Sequence, residues 1–157
     1  MKINDILFKI KTALSLDEET MIKAYSMTEY EMTPSRLTNI LKRRQDKDYQ
    51  EASYEELGLF LDGFITLKRG SKPKNPNEEL VELTNNLILK KLRIALELKD
   101  LELSIIFGLA EVPITHRQIG SLFRKEGHKN FKVCSDELLI KFLEGLDEFY
   151  YVGELEE

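Results

Sequence analysis

The chain has one cysteine and two histidines. Cys134 alone can form no internal disulfide, which fits a reducing compartment. A nucleophilic or metal site would have to draw on Cys134, His116 and His128. Glycine is sparse and scattered, at 8 of 157 residues, so no Gly-rich phosphate loop is present. GxSxG and HExxH motifs are absent too. No apolar run approaches the ~20 residues of a membrane span. The opening MKINDILFKIKTAL does not read as a signal peptide, because Asp5, Lys9 and Lys11 interrupt every apolar stretch. These absences predict a cytoplasmic protein with no membrane contact and no cofactor.

What is present is an ordinary globular balance: 42% hydrophobic and 32% charged residues. A chain of this length can bury a core without disulfides. The net charge of −5 argues against non-specific nucleic-acid binding by the whole surface, while leaving room for a local basic face.

The strongest signal is internal. Shifted by 82 residues, the sequence matches itself without a gap from residue 4 to 67, with 16 of 64 positions identical. Asn4-Asp-Ile-Leu7 falls on Asn86-Leu-Ile-Leu89, Ala13-Leu-Ser-Leu16 on Ala95-Leu-Glu-Leu98, and Phe60-Leu-Asp-Gly63 on Phe142-Leu-Glu-Gly145. Other positions exchange one apolar residue for another, as in Met21/Leu103, Tyr25/Phe107 and Leu37/Ile119. The expectation is an all-α protein: two tandem copies of a four-helix unit packed as a pseudo-two-fold bundle. The first unit spans 1–70, a polar linker 71–77, and the second unit 78–157.

Each unit reads as four helices. Ile6, Leu7, Ile10, Ala13 and Leu14 form the apolar stripe of the first, with Asn4 as its N-cap. The second starts near Asp17. The third opens with Thr33-Pro34, a cap followed by proline at the first helical position. The fourth opens on the capping box Ser53-Tyr-Glu-Glu56 and stops at Gly70. In the second unit, Thr115 and Ser135 repeat the caps. Leu80, Val81, Leu83 and Leu87 predict an early helix start near Asn77. Gly63 and Gly145 lie inside the last helices, where glycine costs up to ~1 kcal/mol against alanine. Its recurrence predicts a close approach of two helices.

The duplication also sorts the candidate chemistry. The first copy has Pro34, Asp46 and Ala52 where the second has His116, His128 and Cys134, so no metal or catalytic set recurs. Glu29/Glu111, Glu55/Glu137 and Asp62/Glu144 do recur. Glu55 and Glu137 suit the positive end of a helix dipole. Five pairs are cationic in both copies: Lys9/Lys91, Lys11/Arg93, Lys42/Arg124, Arg43/Lys125 and Lys47/Lys129. They are the candidate anion- or partner-binding set, weighed against helix-end electrostatics and solubility. The third helices could also act as the second helix of a helix-turn-helix. They would then present Ser35, Arg36 and Asn39, or Arg117, Gln118 and Ser121, to a groove. A non-enzymatic binding protein follows, acting as monomer or homodimer on an acidic protein partner, with a nucleic-acid-binding regulator as the alternative and an enzyme as the third reading.

Several segments further resemble the YehS-like family of small bacterial proteins. They are Asn86-Leu-Ile-Leu-Lys-Lys-Leu-Arg-Ile-Ala-Leu-Glu-Leu-Lys99, His128-Lys-Asn-Phe131 with Cys134, Phe142-Leu-Glu-Gly-Leu146, Asn4-Asp-Ile-Leu7 and Lys68-Arg-Gly70. The resemblance covers nearly the whole chain. It implies a bacterial protein with a duplicated domain of unknown function, and it brings no catalytic or ligand residue with it. Ala52 stands where the resemblance leads one to expect a cysteine, which further weakens a metal role for Cys134.

Overall fold

The computed structural model describes residues 2–70 and 83–155. The predicted linker, 71–77, lies outside them. The described residues form eight helices and no strand: α1 Ile3–Ala13, α2 Glu18–Met27, α3 Pro34–Ile40, α4 Tyr54–Arg69, α5 Asn85–Leu96, α6 Asp100–Leu109, α7 His116–Leu122 and α8 Asp136–Leu155. Each helix of the second unit, α8 included, begins 82 residues after its counterpart in the first.

Local sequence sets most of the boundaries. The Asp17 side chain accepts from the Thr20 amide and starts α2, and the Thr33 hydroxyl does the same for α3 with Pro34 behind it. Ser53 and Glu56 form a reciprocal capping box on α4, and Gly70 ends it at φ 73°. Thr115 and Gln118 form the equivalent box on α7. The Ser135 hydroxyl accepts from the Leu138 amide at the start of α8.

Two expected starts are corrected. The cap position of α1 is Lys2, which makes no side-chain cap, while Asn4 lies inside the helix with its side chain directed elsewhere. The predicted early start near Asn77 falls partly outside the described residues. Where description resumes, Leu83 and Thr84 are not helical, and the Thr84 hydroxyl caps α5 at Asn85. A polar cap thus overrides the apolar periodicity that continues upstream.

Within each unit the last helix lies across the second, α4 on α2 and α8 on α6. Gly63 and Gly145 make this crossing possible. A β-carbon at Gly63 would lie 1.8 Å from the Ala24 carbonyl oxygen, and one at Gly145 would lie 2.1 Å from that of Ile106. Aromatic pairs sit at the same crossings, Tyr25 with Phe60 at 5.6 Å and Phe107 with Phe142 at 5.5 Å between ring centres.

The first helices cross between units. α1 packs mainly on α8, and α5 mainly on α4, with only light contact to the last helix of their own unit. The shift by 82 carries one contact into the other, as a pseudo-two-fold requires. On α1 and α5, Leu7, Ile10, Leu89 and Leu92 are fully buried. Lys91 on α5 is buried as well and forms an ion pair with Asp62 on α4.

Candidate anion-binding loops

The longest connections inside each unit, 41–53 and 123–135, carry most of the paired cations. Each is fixed at both ends by one asparagine from the first helix of its unit. The Asn4 amide donates to the carbonyls of Ile40 and Gln50, at 3.0 and 2.8 Å, and its oxygen accepts from the Ala52 amide at 3.0 Å. Asn86 repeats all three bonds with Leu122, Lys132 and Cys134, at 2.9, 2.8 and 2.9 Å. The loops also share their internal turns. Gln50 and Lys132 donate back to the carbonyls of Asn39 and Ser121, and Asp46 and His128 to those of Arg43 and Lys125. All main-chain groups named here are paired, so each loop is a shaped surface rather than a loose strand.

The ten expected cations do not form one set. Lys42, Arg43 and Lys47, and Arg124, Lys125 and Lys129, lie in the two loops, just beyond the ends of α3 and α7. Among the described residues none of these six is in an ion pair. The Lys42 ammonium donates to the Lys47 carbonyl at 3.2 Å. The other pairs lie on the first helices, where two members work internally. Lys91 holds Asp62 across the unit boundary. Arg93 bonds the Leu98 carbonyl and the Asp100 carboxylate, and its guanidinium lies 4.7 Å over the Phe123 ring. Lys9 and Lys11 are half-buried on α1.

Two basic concavities border the loops. In the first unit one of about 340 Å³ lies between α1 and the loop, with Lys2, Lys42, Arg43, Arg44 and Tyr49 in its lining and Asp5 beside them. In the second unit the concavity lies on the other side of the loop, against α7. It measures about 440 Å³ and is lined by Arg117, Ser121, Arg124, Lys129 and Asn130.

The helix-turn-helix residues are mostly engaged inside the fold. Arg36 makes a two-pronged bond to the Glu56 carboxylate, at 2.7 and 2.8 Å. Asn39 bonds Gln50, Gln118 closes its capping box, and the Ser121 hydroxyl donates to the Arg117 carbonyl. Only Ser35 and Arg117 of the six have no such side-chain bond among the described residues. α3 and α7 are also only two turns long, 7 residues each.

The histidines and the cysteine have local settings. His116 is the exposed first residue of α7, and His128 accepts the Asn130 amide on Nδ1 at 3.0 Å. Cys134 is buried, and burial pushes its thiol up to about 12, far from a reactive thiolate. Among the described residues no three His, Cys, Asp or Glu side chains gather as metal ligands.

One cluster belongs to the first unit alone. Glu56 is buried, and burial pushes its carboxyl upward. The Arg36 fork, the Tyr30 hydroxyl and the Ser53 amide together outweigh that and hold it at about 2. The Tyr25 hydroxyl beside it meets no partner among the described residues, and burial pushes the phenol up. The second unit has Phe107, Val112, Gln118 and Leu138 at these places, and a groove of about 390 Å³ opens there. Neither the asparagine anchors nor this cluster was foreseen. The anchors had a signal, an asparagine identical in both copies, but it also fitted a helix cap. The cluster had none, because it does not recur.

Comparison with known proteins agrees with this two-fold reading. The family model described as "Protein of unknown function (DUF1456)" matches twice, at residues 4–70 and 85–150. The chain belongs to this family. Both matches coincide with the units in space, each running from the asparagine-bearing first helix into the last helix. "Uncharacterized protein YehS" of Escherichia coli (strain K12) is 31% identical to the chain over 147 residues, covering 93% of this chain and 94% of that protein. No solved structure matches the chain. Among the described residues no helix is long and apolar enough to cross a membrane.

Proposed function

We propose that this is a non-enzymatic binding protein that meets an acidic protein partner through its two asparagine-anchored basic loops. One observation carries the reading. Six loop cations, paired between the copies, are held on a fixed backbone and have no carboxylate in ion pairing among the described residues. A surface made this way loses little order when it binds, so more of the contact energy remains as affinity. An acidic protein is favoured over nucleic acid for two reasons. The side chains that would read a groove are engaged within the fold. The net charge of −5 also repels a long polyanion beyond the loops. The lone, buried Cys134 supports placing the protein in the cytoplasm.

The test is affinity capture from bacterial extract with the full-length chain, alongside a variant carrying glutamine at Lys42, Arg43, Lys47, Arg124, Lys125 and Lys129. Acidic proteins should be retained by the unaltered chain, released as salt rises, and absent from the variant. Equal recovery by the variant, or recovery of nucleic acid instead, would overturn the reading. Titration of labelled DNA and RNA at two salt concentrations identifies the second outcome independently.

A further inference from the structure

The two loops are not equivalent, and the difference points to a specific ligand. The concavity against α7 is lined by two arginines and one lysine, with Ser121 and Asn130, and by no carboxylate. At the same five positions the first unit has Ser35, Asn39, Lys42, Lys47 and Asp48. One cation is lost there and one carboxylate gained, and the concavity of the first unit forms elsewhere. The backbone beneath the second-unit concavity is tightly fixed. Ser121 sits on the last turn of α7 with its hydroxyl on the Arg117 carbonyl at 3.0 Å, and its own carbonyl accepts from the returning loop at Lys132, also at 3.0 Å. Two successive turns then place Lys129 and Asn130: the His128 amide on the Lys125 carbonyl, and the Asn130 amide on His128 Nδ1.

Three like charges brought into one recess repel each other, and an anion between them removes that repulsion. Two guanidinium forks match the oxygens of a tetrahedral phosphate two at a time, and a lysine adds a point charge. A phosphate monoester carries about −1.5 to −2 charges and three acceptor oxygens, well suited to three cations. A phosphodiester backbone carries one charge per phosphate and continues past the recess. The same loop carries Glu126 and the chain has a net charge of −5, both unfavourable to a polyanion that extends beyond the recess. A recess of about 440 Å³ also leaves room for part of whatever bears the phosphate.

We propose that Arg117, Arg124 and Lys129 form a phosphate-monoester site, one per chain, present in the second unit only. It rests on the reading of the loops as anion-facing surfaces and narrows it to one recess and one ligand chemistry.

The experiment follows backbone amide shifts of the full-length, isotope-labelled chain by NMR. The probes are inorganic phosphate, phenyl phosphate and a short oligothymidylate without a terminal phosphate. The first two should give saturable shifts confined to residues 117–130, with no matching response at 35–48. Arg117→Gln and Arg124→Gln should each weaken binding roughly tenfold or more, while the charge control Lys23→Gln on α2 leaves it unchanged. All three sites are exposed, and an unaltered remainder of the spectrum verifies folding. Shifts that fail to saturate, that appear equally in both units, or that survive Arg117→Gln overturn the site. So does tighter binding of the oligothymidylate. Failure here with successful capture of acidic proteins removes the site and keeps the loop reading. A saturable site with failed capture keeps the site and removes the proposed partner.

Discussion

Asn4 and Asn86 each satisfy three main-chain groups at once, which no cap or exposed polar residue does among the described residues. Asn4 is buried, so Asn4→Ala leaves two carbonyls and an amide with no partner, at a cost of roughly 2–4 kcal/mol. Asn4→Asp should fare no better. It keeps the acceptor for Ala52 but sets a carboxylate against two carbonyl oxygens. Asn86 is only half-buried, so Asn86→Ala should cost less. Urea unfolding of the three variants checks the order. A loss under about 0.5 kcal/mol for Asn4→Ala would show that the loop does not depend on the anchor. Glu56 provides a second residue-scale test. Its carboxyl sits at about 2 in the fold against an ordinary 4.5. A lowered folded value contributes stability that is complete above 4.5 and is lost as pH falls toward 2. The size is of the order of 2–3 kcal/mol. Glu56→Gln should therefore be less stable than the unaltered chain at neutral pH, and the gap should close between pH 4.5 and 2. A gap that is constant with pH in thermal melts would count against the Arg36–Tyr30–Glu56 cluster.

The helices themselves were largely legible. Caps at Asp17, Thr33, Ser53, Thr115 and Ser135 and the stop at Gly70 stand where local sequence places them, because each acts within one turn of its own residue. The failures occur where an element's partner is remote in sequence. Asn4 had two local uses, and only the arrival of residues 40, 50 and 52 decides between cap and anchor. The cations divide for the same reason. Lys91 and Lys42 look alike as residues, yet one faces Asp62 across a unit boundary and the other lies in a loop. Glycine at the helix crossings was readable from its recurrence, and it yields a sharp comparison. Gly63→Ala and Gly145→Ala each put a methyl group into a backbone carbonyl of the neighbouring helix, at 1.8 and 2.1 Å. Separating those helices should outweigh the ~1 kcal/mol gain in helix propensity and destabilise by at least 2–3 kcal/mol. Gly58 lies on α4 with nothing within 4 Å of an added β-carbon. Gly58→Ala should instead stabilise by up to about 1 kcal/mol. Opposite signs on one helix, read from denaturation midpoints, separate the crossing from propensity; equal signs would refute the close approach.

At the scale of the molecule, the decisive feature is that the first helix of each unit rests on the last helix of the other. Two separate domains would keep that contact within a unit, and a short polar linker would then be compatible with either arrangement. The reciprocal arrangement makes the units interdependent. Residues 1–70 alone would expose the α1 and α4 faces that α8 and α5 cover, and would leave Asp62 without Lys91. Each large apolar side chain returned to water costs about 1.5–3 kcal/mol, and a few of them exceed the stability expected of a unit this small. Separate fragments 1–70 and 83–157 should therefore each melt without a sharp transition or associate with copies of themselves. Self-association is the natural escape, because the pseudo-two-fold lets a second copy of a unit offer nearly the surface that its sister unit offers in the intact chain. Mixed in equal amounts, the fragments should form a one-to-one complex with the cooperative melt of the whole protein. Circular dichroism melts with sedimentation analysis of each fragment and of the mixture measure both. Fragments that each remain monomeric and melt cooperatively near the temperature of the intact chain would mean that the crossed helices contribute little to stability. In that case the anchored loops of each unit could be studied, and could act, alone.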